Sequence, residues 1–266
     1  MHPRRAYSRP VLDPDDPNAA LFAAYATVFE DLATVTTGRT RRAPRGTLLA
    51  ISGSRLAALN AIISPDREPD LEEITALADD ARPWDVPWSI HVRGTAPAAL
   101  MEAAAGYGLT EAATEPFMVL DADRAPRADP LPRGLRVRPV GADETERYAR
   151  ATAAGFEAPF ELFELFADPT FARAETMTCF LAEVDGVAVG TGFAATAGDL
   201  RGLFNIAVLP EHRRRGYGRA ITAELCRVAF DSGARAVFLA SSPMGESVYR
   251  SLGFRAVERL TLVTAP

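Results

Sequence analysis

Lysine is missing from this chain: all 29 basic side chains among its 266 residues are arginine. Without lysine there is no amine for Schiff-base catalysis, and imine chemistry is excluded. Cysteine is scarce, with only Cys179 and Cys226, far apart in sequence. They read as two buried free thiols, not as a disulfide or a nucleophile. Three histidines and two cysteines show no metal-ligand spacing, so no metal is expected. No apolar run is long enough to span a bilayer. The opening residues, MHPRRAYSRPVLDPDDP, hold an Arg-Arg pair with no apolar stretch behind it. They read as a loose tail and not as a secretory signal, which makes a cytoplasmic location the expectation. Positive charge is not in excess either: net charge is -6 and the pI near 5.3. No global field draws nucleic acid or an anionic membrane, and neither is expected as a partner.

What is present is an ordinary globular composition, 48% hydrophobic and 24% charged, long enough for one large core or two modest ones. The stretch Ala122 to Gly134, rich in Pro, Arg and Asp and without periodicity, reads as a linker, residues 122–134, between halves 1–121 and 135–266. After it, Leu135 to Val140 alternates as a strand and Asp143 to Phe166 is helical in character. Cys179 to Val184 and Val187 to Ala195 flank Asp185-Gly186, a strong hairpin signal, and a second hairpin runs through Gly198-Asp199 to a strand Leu203 to Val208. A loop follows, then a helix from Gly218 to Asp231 with Gly233 at its end, a strand Ala236 to Ala240, a short helix Glu246 to Ser251, and a strand Val257 to Val263.

The first half repeats the later part of this order in diffuse form. Leu48 to Ile51 and Leu56 to Ile63 read as a strand pair, Leu71 to Ala81 as an amphipathic helix, Trp88 to Val92 as a strand, Ala98 to Ala105 as a helix and Phe117 to Leu120 as a closing strand.

The informative segment is Val208 to Ala220, VLPEHRRRGYGRA: a strand end, a tight turn, a glycine-punctuated loop and a helix start. Gly216 and Gly218 permit positive φ and close backbone approach. The N–H groups of such a loop and of the helix's first turn favour an anion, and Arg213, Arg214, Arg215 and Arg219 add charge of the right sign. Tyr217 lies between the glycines. This describes a pyrophosphate cradle, although GxxxxGK[ST] and GxGxxG are both absent. The corresponding loop of the first half, Ser64 to Pro69, is acidic and proline-blocked, so a single such site is expected per chain.

Arg213-x-x-Gly216-x-Gly218, between a Val-x-Pro strand end and an amphipathic helix, resembles the [RQ]-x-x-G-x-[GA] acetyl-CoA motif of the GCN5-related N-acetyltransferases. Downstream, Ser242 to Phe254 (SPMGESVYRSLGF) resembles that family's N-x-x-A-x-x-[LV]-Y-x-x-x-G-F segment. The resemblance covers Leu135 to the C-terminus. It implies an α/β (α+β) acyl-CoA N-acyltransferase fold, with a mixed, mostly antiparallel central sheet flanked by helices. With the diffuse repeat it implies two tandem copies, the N-terminal one degenerate and without a cofactor loop.

The resemblance also implies roles. Backbone groups of Ile206, Ala207 and Val208 would pair with the pantetheine arm and polarise the thioester carbonyl, and Arg213 to Ala220 would hold the pyrophosphate mostly through main-chain N–H groups. Tyr249 would protonate the leaving thiolate. Ser242 stands where the family has Asn, which weakens one side-chain contact. The central strand lacks the Glu that many members use as base. Asn205 and Asp199 are the nearest polar groups, with Glu157, Glu161 and Glu164 as alternatives. The implied activity is acetyl transfer from acetyl-CoA, as co-substrate and with no metal, to the amine of an unidentified small molecule or protein, by a monomer or homodimer. Two other readings stay open: a non-catalytic acyl-CoA sensor or scaffold, and O-acylation of a small alcohol.

Overall fold

The computed structural model describes residues 15–36, 38–125 and 130–266; most of the N-terminal tail and part of the linker lie outside them. The first half runs α1 (Ala19–Val35), β1 (Arg39–Arg42), β2 (Leu48–Ile51), β3 (Asn60–Ile63), α2 (Leu71–Ala81), β4 (Ser89–Arg93), α3 (Ala98–Ala105) and β5 (Glu111–Asp121). The second runs β6 (Leu135–Pro139), α4 (Thr145–Phe156), α5 (Thr170–Arg173), β7 (Met177–Val184), β8 (Val187–Ala197), β9 (Leu200–Val208), α6 (Tyr217–Asp231), β10 (Ala236–Ala240), α7 (Glu246–Ser251) and β11 (Arg255–Thr264).

All eleven strands form one sheet in the order β1-β2-β3-β4-β11-β5-β10-β9-β8-β7-β6. Only β3–β4 and β9–β10 are parallel, so the sheet is mixed and mostly antiparallel, flanked by helices. Each half gives its closing strand to the other: β5 pairs with β10, β11 pairs with β4, and the two exchanged strands pair with each other along their length. Sheet order therefore reads alike outward from the β11–β5 pair, β4-β3-β2-β1 on one side and β10-β9-β8-β7 on the other.

The period-two pattern sorts side chains between two faces. On β5, Phe117 and Val119 face α1 and α4, in a core that spans both halves; Met118 and Leu120 face α6 and α7. A third cluster fills the space under α2 and α3. Fully burying residues of the size of Phe117 or Leu260 contributes about 1.5–3 kcal/mol each.

Two buried polar groups sit inside this packing, and the second of them ties the halves together. His91 on β4 sits between the Tyr25 hydroxyl of α1 and the Ser89 hydroxyl, 2.9 Å from each, and burial lowers its pKa to about 3, so the ring is neutral. Arg93, with 1% of its side chain exposed, bonds Asp16, Glu258 on β11 (2.7 Å) and the Pro65 carbonyl (3.1 Å).

Several boundaries differ from the sequence expectation. The helix read over Asp143 to Phe166 stops at Phe156, because Glu157 turns left-handed (φ 53) and Pro159 removes a donor; two 3-10 turns, Phe160–Leu162 and Glu164–Ala167, carry the rest. The strand read over Leu56 to Ile63 begins with a 3-10 turn, Ala57–Leu59, and is extended only from Asn60. Helix α1 and strand β1 had no counterpart in the sequence reading.

Candidate active site

The site forms where β9 parts from its neighbour. Leu209 N–H donates to Val189 O of the β8 side at 3.0 Å. At the next pair, Gly190 opposite Val208, ladder alternation turns the Val208 N–H and C=O away from β8. On that other side β10 pairs with β9 only from Ala236 to Phe238, against Leu200 to Gly202. From Leu203 onward β9 has no strand on that side among the described residues, and its free edge lines a wedge-shaped gap.

A β-bulge sits in this free stretch: Asn205 and Ile206 together oppose Gly192. Asn205 is left-handed (φ 48), a conformation its short amide tolerates. Its carbonyl accepts from Thr191 Oγ1 at 3.0 Å, and its amide nitrogen lies 3.5 Å from the buried Tyr148 hydroxyl.

After β9 the chain makes a 3-10 turn, Pro210–His212, and then alternates handedness, with Arg214 at φ 63 and Gly216 at φ 79, before α6 begins at Tyr217. The first intrahelical bond here is Ala220 N–H to Gly216 O at 3.0 Å, so the N–H groups of Tyr217, Gly218 and Arg219 are the outward donors of the helix start. No heavy atom lies within 4 Å of where a Gly216 β-carbon would stand; a β-carbon on Gly218 would rest against Val208 at an ordinary 3.6 Å. The space in front of the turn is open, and backbone conformation, not crowding, is what demands glycine at 216.

The arginines divide. Arg214 and Arg215 are exposed. Arg213 turns back into the protein: Nη1 meets Glu157 at 2.6 Å, Nη2 donates to Gly155 O at 2.9 Å and Nε to Val208 O at 3.2 Å. Its side chain staples the end of α4 to the end of β9, which leaves only its backbone to face an anion.

Helix α7 brings Tyr249 to the same end of β10. Ser242 starts the turn, its hydroxyl accepting from Gly245 N–H at 3.3 Å. A β-carbon at Gly245 would come within 2.8 Å of the Tyr249 ring, so glycine is what lets the ring lie flat on that turn. Tyr249 is half-buried, 5.8 Å from the Phe254 ring, and its hydroxyl has no hydrogen-bond partner among the described residues. Burial, with smaller effects from Glu115 and Cys226, pushes its pKa up to about 12, so it stays protonated at neutral pH.

Thus Asn205 to Val208, Arg213 to Ala220, Ser242 and Tyr249 converge on one end of the β9–β10 pair. The other carboxyl candidates do not. Asp199 precedes β9 at its opposite end and is paired with Arg235 at 2.8 Å. Glu157 is held by Arg213. Glu161 and Glu164, with Asp168, line a cavity of about 390 Å³ against Ser52 to Arg55 of the first half. One residue that no local motif marks also reaches this region: Glu115 on β5, two positions before Phe117, which pairs with Ala240 at the end of β10.

Comparison with known proteins gives a consistent set of likenesses. The Acetyltransferase (GNAT) family model matches residues 144–254. An aminoglycoside N(6')-acetyltransferase type 1 of Salmonella typhimurium is 30% identical over 103 residues, 33% of this chain and 69% of that protein. Among solved structures, a GCN5-related N-acetyltransferase from Kribbella flavida superposes with a TM-score of 0.69 at 20% identity, covering 93% of this chain and 95% of that one. Another from Sphaerobacter thermophilus gives 0.55 at 18%, covering 92% and 91%. At such identities the structural likeness concerns the fold, and it extends over both halves.

Proposed function

Because the chain belongs to the acetyltransferase (GNAT) family, we propose that its second half, residues 135–266, binds acetyl-CoA along the free edge of β9 and passes the acetyl group to a primary amine. The observation that carries this reading is the parting of β10 from β9 directly beside the left-handed turn at Gly216. An extended pantetheine arm fits the gap as an added strand, with the Val208 N–H as donor. The pyrophosphate fits the open space before Gly216, facing the N–H groups of Tyr217, Gly218 and Arg219, with Arg214 and Arg215 adding charge and Ala220 closing the first turn. The bulge at Asn205 re-aims the Ile206–Ala207 segment, so that an N–H there polarises the thioester carbonyl and holds the developing oxyanion. An asparagine amide is not a base, and Asn205 serves here by shaping that bulge.

Transfer is direct, within a ternary complex. Both thiols are buried, with pKa pushed up to about 12, and so supply no nucleophile. Tyr249 offers the leaving sulfur a hydrogen bond. A pKa of about 12 against about 8.5 for a thiol makes full proton transfer to the thiolate uphill by about 5 kcal/mol, so the hydroxyl acts first as donor and second as acid. The remaining gain comes from juxtaposition. An aminoglycoside-like polyamine is the first acceptor to try, since the relative from Salmonella typhimurium is named for one and Glu161, Glu164 and Asp168 present negative charge where the halves meet. We place the activity in the cytoplasm; among the described residues no helix is long and apolar enough to cross a membrane.

The first half, residues 1–121, carries no second site in this reading. Ser64 N–H bonds His91 O at 2.9 Å, and Arg93 donates to Pro65 O, which together close the notch between β3 and β4. Calorimetry with coenzyme A should return one site per chain, and thiol release from acetyl-CoA should appear with at least one member of a panel of primary amines. Two equivalent sites would overturn the single-site reading, and silence across the panel would overturn the transferase reading.

A further inference from the structure

The exchange of closing strands puts one carboxylate of each half in a matching place. On β11, Leu260 pairs with Arg93, the last residue of β4; on β5, Phe117 pairs with Ala240, the last residue of β10. Two residues before each lie Glu258 and Glu115. In the first half Arg93 ends β4, and its guanidinium binds Glu258 at 2.7 Å. In the second half the same position is Ala240, which offers nothing, and the Glu115 carboxylate has no hydrogen bond or ion pair among the described residues. A half-buried carboxylate without a partner is costly to the fold. One half pairs this carboxylate; the half with the open gap leaves it bare.

Its direction is set by register. Residues two apart share a face, and Glu115 lies directly opposite Leu260. Phe117 and Leu260 both belong to the α1–α4 face, and so does Glu115. Tyr249 comes from α7 on the other face. Pro116 O accepts from Ser241 N–H at 2.9 Å, so Glu115 stands just past the end of β10, beside Ser242 at the mouth of the gap. A thioester lying in the gap would have Tyr249 toward its sulfur on one face and Glu115 toward its carbonyl carbon on the other.

Resting on the transferase reading above, we infer that Glu115, contributed by the first half, is the proton acceptor for the incoming amine. The amine arrives as an ammonium ion. One proton passes to the Glu115 carboxylate, directly or through one water, and frees the nitrogen lone pair. The lone pair forms the C–N bond as the carbonyl π pair moves onto oxygen. That pair returns as the C–S bond breaks and its electrons leave with sulfur. The second nitrogen proton passes through water to the departing sulfur, whose developing charge the Tyr249 hydroxyl holds by a hydrogen bond, so Tyr249 ends the cycle protonated. The products are the amide, coenzyme A and one proton released to water when Glu115 ionises again. Burial raises the Glu115 pKa, and its charge is felt at two tyrosine hydroxyls, Tyr249 and the buried Tyr25 of α1 on its own face.

The test uses the full chain, acetyl-CoA, and whichever of neamine, spermidine and a lysine-containing peptide gives the fastest thiol release. Glu115→Gln should lower kcat/KM about a hundredfold at neutral pH and remove the acid limb of its pH profile, with coenzyme A affinity unchanged. Glu115→Asp should restore part of the rate and keep that limb. The control Glu258→Gln should lower the melting temperature, because it removes one of the two carboxylates that pair with Arg93, and leave kcat/KM alone. Turnover by wild type together with an unaltered rate and profile in Glu115→Gln would overturn the inference and spare the transferase reading. So would a rise in KM alone with the acid limb intact, since that marks a charge that binds ammonium and takes no proton. No thiol release from wild type with any of the three amines would remove both.

Discussion

Substituting Gly216 by valine tests the loop most directly. The backbone there sits at φ 79, where a β-branched residue is an outlier costing roughly 1–2 kcal/mol or more. The new side chain itself meets nothing within 4 Å, so the fold loses no more than that strain. Binding loses far more. Either the turn leaves the left-handed region and swings the N–H groups of Tyr217 and Gly218 off target, or it stays and puts two methyl groups where a phosphate must approach. Losing two charge-assisted hydrogen bonds at about 1.5–3 kcal/mol each weakens binding by about 3–6 kcal/mol, roughly two to four orders of magnitude. The structure supplies an internal control in Gly186, also at φ 79 and also open, in the β7–β8 turn. Gly186→Val should cost similar stability and no affinity. Calorimetric titration with coenzyme A, beside urea unfolding of both variants, separates the two effects. Near-wild-type affinity in folded Gly216→Val would show that the loop does not hold the pyrophosphate.

Two further outcomes follow from other parts of the molecule. Tyr249→Phe should lower kcat about ten- to a hundredfold with coenzyme A affinity nearly constant, the size of one hydrogen bond to a developing thiolate; an unchanged kcat, measured where chemistry limits the rate, would leave water in that role. Arg93→Met strands Asp16 and Glu258 and should destabilise the chain by about 3–5 kcal/mol at pH 7. Its bond to Arg93 holds the Asp16 carboxyl below its ordinary value, so this stabilisation is complete above the unfolded-state carboxylate pKa and fades as pH falls through the folded value. Urea titrations should therefore show the gap between wild type and variant closing in acid, and a gap that stays constant would refute the assignment.

Much of the second half is legible in sequence because its signals are local. Asp185-Gly186 sets a two-residue turn with both residues left-handed (φ 52 and 79), and β10 and α7 fall on the segments their apolar patterns mark. Helix α1 was illegible for the opposite reason. AALFAAYATVFEDLATV is apolar on nearly every side, because it packs against strands of both halves on one face of the sheet, and so lacks the contrast that marks a surface helix. The break at Glu157 was hidden by phenylalanines that keep a helical spacing past it; Phe156 and Phe163 still stack, at 5.3 Å, across the turn. The bulge at Asn205 is set by ladder register against β8 and has no signature of its own. Glu115 is the extreme case, because nothing around it in sequence sets it apart from an ordinary strand residue.

That last point has a structural cause. Strand β10 is five residues long, and its side away from β9 is covered entirely by β5, a strand of the other half. Whatever stands beside the top of β10 must therefore come from residues 111–121, more than 100 positions away in sequence. A motif read along residues 205–254 contains the backbone donors, the glycine-punctuated loop and the tyrosine, all of them groups that the proposed function assigns to the acyl donor. It cannot contain the groups on the far side of β10, from which the acceptor would approach in that reading. On the proposed function, exchange of the closing strands divides the labour by half: the second half would hold one substrate, and the first half would supply a wall of the place where the other meets it. The first half closes its own notch between β3 and β4 through Arg93 and Pro65, and it still contributes to the second half the strand that runs past Ala240.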